Sequence, residues 1–182
     1  MRAVALETPK WLQAGTYAAR LDRHVIQELF RSKNRVLRGL AVTQRAAGAN
    51  FSVDISAGSA VILGTTQADQ GSYLCRNTAV VNLVATATPG APRTDSVYAV
   101  INDPNAGGPA GSNWNVVWVN GGTAAPADSI LLATVARTVG EPSIATAAIT
   151  DQRPLGEWSW TVGTTNPPTA KAPDGDLYIV VT

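Results

Sequence analysis

Phe51-Ser52-Val53-Asp54-Ile55-Ser56-Ala57-Gly58-Ser59-Ala60-Val61-Ile62-Leu63-Gly64 is the stretch that decides the fold. Phe51, Val53 and Ile55 alternate with polar residues, the period of two that sets one face of a strand on a core and the other in water. Ala57-Gly58 breaks the pattern as a tight-turn signal, and the apolar run at 60–63 resumes it. Outward from here similar segments recur, bounded by Gly, Pro, Asn and Asp: 40–44, 73–77, 80–85, 96–102, 115–120, 130–137 and 147–149. The run from 130 onward is ambiguous by period and is assigned as a buried strand from its β-branched content. Short strands at this spacing predict a mainly β protein, with a β-sandwich or barrel-like domain over 39–153.

The flanks read differently. Residues 1–15 form an extended N-terminal arm, in which Trp11 and Leu12 have no local apolar partner. Residues 16–38 are an amphipathic helix and a basic connector: Thr16 suits an N-cap, and Leu21, Val25, Ile26, Leu29 and Phe30 share a helical face. One helix of that length cannot bury its own face, so it must pack on the β domain or on copies of itself. After Pro154 and Gly156 comes a C-terminal β tail, 154–182, with Trp158 and Trp160 in one segment and Leu177, Tyr178 and Ile179 in another. Two strands are too little for an independent core, so this tail is assigned to contacts between subunits.

Composition bounds the chemistry. Of 182 residues, 45% are hydrophobic, enough for a packed core, but only 15% are charged. A surface that poor in charge is covered by Thr, Ser, Asn and Gly or by neighbouring subunits. The net charge of +1 hides an asymmetry: residues 1–38 carry eight Lys/Arg against three acids, and the remainder carries six against ten. Opposite ends of neighbouring copies are therefore expected to attract. The basic run at 31–38 is assigned to a solvated helix end rather than to nucleic acid. One cysteine, Cys75, excludes an internal disulfide and suits a small buried hydrophobe. No apolar run reaches the roughly 18–20 residues of a membrane span.

Catalytic signals are missing. The single histidine, His24, lies on the helix with no triad or metal partner motif, and no two carboxylates are brought together as glycoside hydrolysis requires. Asp151 beside Arg153 reads as a turn cap or salt bridge. We expect no enzyme, no cofactor and no metal. Trp114 and Trp118 share one face of a strand; that face is core, subunit interface or a platform for glycan contact.

The residues also carry a resemblance. The helix Tyr17-Ala18-Ala19-Arg20-Leu21-Asp22-Arg23, then Ala57-Gly58-Ser59-Ala60-Val61, Gly71-Ser72-Tyr73, Arg93-Thr94-Asp95-Ser96-Val97, Trp118-Val119-Asn120-Gly121, Asp128-Ser129-Ile130-Leu131-Leu132-Ala133 and Ile149-Thr150-Asp151-Gln152-Arg153 follow in an order and spacing similar to minor tail proteins. These are tail- and baseplate-associated virion proteins of siphophages, notably those infecting actinobacteria. The likeness spans residues 16–153, and the tail resembles a small β motif appended in phage fibre proteins. It implies a virion structural protein, homotrimeric, at a distal-tail or baseplate hub or a fibre connector, assembled in the host cytoplasm. Its partners would be copies of itself and other virion proteins. Interface candidates are Trp11, Leu12, Leu21, Val25, Leu29, Trp158, Trp160, Leu177, Tyr178 and Ile179. The alternatives are a capsid decoration or head-fibre protein, or a carbohydrate-binding module touching the host envelope through Trp114 and Trp118.

Overall fold

The computed structural model describes residues 19–86, 88–107, 113–155, 160–163 and 177–180. The chain is mainly β, with one short helix and three antiparallel sheets that do not close into a barrel. The elements run α1 (Ala19–Leu29), β1 (Arg35–Gly39), β2 (Val42–Gln44), β3 (Ser52–Ile55), β4 (Gly58–Leu63), β5 (Ser72–Asn77) and β6 (Val81–Val84). They continue with β7 (Arg93–Asn102), β8 (Asn113–Val119), β9 (Ser129–Arg137) and β10 (Ile149–Asp151), then β11 (Trp160–Gly163) and β12 (Leu177–Val180).

The stretch that announces the fold forms a corner. β3 pairs with β2 and β6, whereas β4 pairs with β1 and β5, so the two halves of the motif belong to different sheets. Ala57-Gly58 therefore does not reverse the chain, as a tight turn would, but bends it. β1–β2 and β3–β4 run as one antiparallel ribbon, bent at Gly39-Leu40-Ala41 opposite Ser56-Ala57-Gly58. Two bonds brace the bend: Ser56 N–H donates to Ala41 O at 2.9 Å, and Ala41 N–H donates to Ser56 Oγ at 3.0 Å. Gly39 has φ +58°, and a Cβ there would lie 1.9 Å from Ala57 O. Leu40 follows at φ +55°, a conformation held by a fully buried side chain.

The third sheet has the order β10-β9-β7-β8, with β7 and β8 joined by a hairpin that starts in a 3₁₀ turn, Pro104–Ala106. β2 approaches β10 and β6 approaches β8, so the second and third sheets are stacked layers. Inward residues from all three sheets make one core: Val36, Ala60, Ile62 and Cys75; Val53 and Ile55; Val97, Ala99, Ile101, Val116, Ile130, Leu132 and Val135. Each Val, Leu or Ile among them contributes about 1.5–3 kcal/mol when fully buried, through area removed from water. The run assigned from β-branched content is β9, whose odd-numbered and even-numbered positions are both largely buried.

Two expectations are corrected. The basic connector contains β1, which has one buried residue, Val36, and so shows no alternation to read. The helix α1 meets the β domain at β5; no residue of it is fully buried, Leu21, Val25 and Ile26 are half-buried, as is Phe30 just after it, and Leu29 is exposed. The last strand is displaced to Ile149–Asp151, after a 3₁₀ turn at Thr146–Ala148. In the tail, β11 and β12 pair in parallel, from Trp160 opposite Leu177 to Gly163 opposite Val180. Trp11, Leu12 and Trp158 lie outside the described residues.

Candidate functional site

Two polar networks hold the domain together, and both centre on a buried aspartate. Asp95 sits on β7 with no side-chain exposure. Its carboxylate accepts from Arg93 Nε at 2.7 Å, Gly121 N–H at 2.7 Å, Trp118 Nε1 at 3.0 Å and Arg137 Nη1 at 3.2 Å. Arg137, also fully buried, pairs with Glu141 and lies over the rings of Trp118 and Phe51, 5.4 and 5.9 Å from their centroids. Burial pushes the Asp95 carboxyl up. The bonds from Arg93, Gly121 and Trp118 outweigh it and hold the group below the usual carboxylate range.

Asp128 does the same at the other end of the third sheet. It has φ +49°, and its carboxylate accepts from Thr65 N–H at 2.5 Å, Gln70 Nε2 at 2.7 Å and Thr66 Oγ1 at 2.8 Å. Burial again raises the carboxyl, and the bonds from Thr65, Gln70 and Thr66 again win, leaving it lowered. Gln70 Nε2 also donates to Tyr73 Oη at 3.0 Å, and Tyr73 Oη donates to Asp103 at 2.7 Å. The network therefore ties the β4–β5 loop to the start of β9 and the end of β7.

The helix hangs on that loop by its polar side. Arg23 Nε donates to Gln70 O at 2.7 Å, and its guanidinium lies 5.0 Å from the Tyr73 ring centroid. Arg20 and His24 both reach Asp69, at 2.5 and 2.8 Å. Gly71, at φ +79°, permits the approach, because a Cβ there would come within 2.7 Å of Arg23 Cβ. At about 100° per residue, Arg20, Arg23 and His24 form one side of the helix and Leu21, Val25 and Leu29 the opposite one. Leu29 is 69% exposed, and Leu21 and Val25 are half-buried.

Further apolar surface lies on and just before β6, an edge strand, where Val80, which precedes it, and Val84 are 63% and 69% exposed. Trp114 and Trp118 both pack against the core from one face of β8, but they differ in use. Trp118 is committed to Asp95 and Arg137. Trp114 lines two open hollows, of about 260 and 80 Å³, whose other walls include residues of the edge strand β5. Cys75 lines the larger one, and burial pushes its thiol up to about 12, so it is not a nucleophile at neutral pH.

Asp151 is a turn cap and ion-pair partner: its carboxylate accepts from Arg153 N–H at 3.1 Å and Arg153 Nη2 at 2.6 Å. Arg153 also donates to Gly39 O at 2.7 Å, which pins the end of β10 to the corner. Among the described residues no three His, Cys, Asp or Glu side chains gather into a metal-binding group. No helix among them is long and apolar enough to cross a membrane. Trp160, Leu177, Tyr178 and Ile179 lie in the β11–β12 pair.

Sequence reasoning missed the Asp95 and Asp128 networks, although both residues stood in the motifs that carried the resemblance. The signal was an acid at the edge of an apolar strand run, Asp95 just before 97–101 and Asp128 just before 130–133, where a charge drawn toward the core needs a partner.

Fold and site together define an antiparallel β domain with an externally attached helix and surplus apolar surface. Comparison with known protein families, with curated proteins and with solved structures finds no match to this chain.

Proposed function

We propose that the chain is a structural component of a phage virion, a distal-tail or baseplate hub or fibre connector that acts by homotrimeric assembly. The observation that carries this reading is the helix. It is fastened by Arg20, Arg23 and His24, and of its apolar row Leu29 is 69% exposed while Leu21 and Val25 are only half-buried. A row of that kind is stabilised when copies pack together, since burial of apolar area drives association. The exposed valines on and beside β6 supply further surface for the same purpose. The motif order resembling minor tail proteins supports the virion setting. A capsid decoration or head-fibre role uses the same surfaces at another place on the particle.

Antibody-gold labelling of purified virions, paired with mass spectrometry of the same sample, tests the proposal. Label at the tail tip is the expected result. Label on the head selects the decoration role. Absence of the chain from the particle by both methods defeats the structural reading.

A further inference from the structure

We propose that the groove across Trp114 is a binding site for a neutral oligosaccharide. The inference is independent of the virion proposal, because it rests on the groove alone. The larger hollow lies between Tyr73 and Leu74 of β5 and Trp114 of β8, with Ile101 also lining it and Asn102 and Asn113 alongside. The smaller hollow also touches Trp114 and is lined by Asn77, Val81 and Asn115. One aromatic wall thus serves two adjoining hollows, each with a pair of asparagines.

That arrangement suits a chain of sugar rings. An indole offers a flat apolar face for the C–H face of a pyranose, and Trp114 lines both hollows, so consecutive rings can lie along one groove. Neutral amides offer a donor and an acceptor together, as vicinal hydroxyls require. Asn102 Nδ2 donates to Asn113 Oδ1 at 2.8 Å, a bond that orients both amides and leaves Asn102 Oδ1 and Asn113 Nδ2 for a ligand. A mostly apolar hollow with a few placed polar groups is the usual form of a small-ligand site.

Charge favours a neutral sugar. Among the described residues no Lys or Arg lines either hollow. Asp103, which lines the larger one, is already engaged: it accepts from Tyr73 Oη at 2.7 Å and from Asn105 N–H at 3.0 Å, and Arg23 Nη1 lies 3.8 Å from its carboxylate. Trp118, four residues along the same strand face, takes no part, since its Nε1 is bonded to Asp95.

The test is titration of the full chain with a panel of neutral hexose and N-acetylhexosamine tetrasaccharides, read by calorimetry and by saturation-transfer NMR. Two variants interrupt the groove differently. Trp114→Ala removes the wall; Leu74→Arg crowds the rim from a side chain that is 58% exposed, so the fold is spared. Trp114→Phe keeps an aromatic face. We expect one saccharide class to bind, with affinity falling about tenfold or more in Trp114→Ala and Leu74→Arg and within about threefold of the native value in Trp114→Phe. Failure of every neutral saccharide to bind the folded native chain would overturn the proposal. So would binding unchanged by Leu74→Arg, or a groove that takes only charged saccharides or an extended peptide.

Discussion

Asp128 shows how one residue can organise a loop of its own fold. Its left-handed backbone aims the carboxylate at the amide and hydroxyl donors of Thr65 and Thr66 and at Gln70, far away in sequence. Asparagine tolerates the same backbone but replaces one acceptor oxygen with a donor group. Asp128→Asn should therefore cost about 1–3 kcal/mol at pH 7, the range for a buried donor left unsatisfied. The folded carboxyl is depressed, so its stabilisation is present above the ordinary value near ~3.9 and is lost as pH falls below it through the folded value. Urea midpoints measured from pH 7 to pH 2 should show the native chain and the variant converging at the acid end. Parallel curves would show that ionisation of Asp128 does not carry the effect. None of this was legible beforehand, because partners 58 residues apart, such as Gln70 and Asp128, meet only once strand register is set. The tryptophans were half legible. A period of two placed Trp114 and Trp118 on one face, but the acid and the arginine that occupy Trp118 come from other strands.

Among the elements, the bent ribbon of β1–β2 and β3–β4 is the most constrained. Gly39→Ala would force a Cβ into Ala57 O at a left-handed φ. Left-handed strain of about 1–2 kcal/mol adds to overpacking of about 1–3 kcal/mol. The expected outcome is a loss of roughly 2–5 kcal/mol, measured by chemical unfolding, and a stability near the native value would mean that the corner relaxes without cost. Sequence alternation found β3 through β9 because each of those strands has turn residues at its ends. It missed β1, where Arg35 and Arg38 flank a single buried Val36, and it took a corner for a turn, because glycine serves both. The helix was found from its period, but its orientation was not. An amphipathic pattern says which residues avoid water and is silent on whether the same chain covers them. Here ion pairs and Gly71 hold the opposite face. Because Leu21, Val25 and Leu29 are not buried, replacing all three by Glu should leave the β-sheet circular dichroism unchanged. A collapse of that signal would show that the row is packed within the domain after all.

At the scale of the whole molecule, a sandwich braced by two buried aspartate networks carries a helix and an edge strand that leave Leu29, Val80 and Val84 exposed. The division of charge between residues 1–38 and the rest follows the same line, with a basic end carrying the helix and an acidic body. Opposite charges on neighbouring copies would favour their encounter and make it salt-sensitive. The measurement that tests this account most directly is native mass spectrometry of the full chain beside its Leu21→Glu/Val25→Glu/Leu29→Glu variant. The account predicts a three-copy mass for the native chain and a one-copy mass for the variant with its fold intact. A one-copy mass for the native chain, or three copies in both, would contradict it.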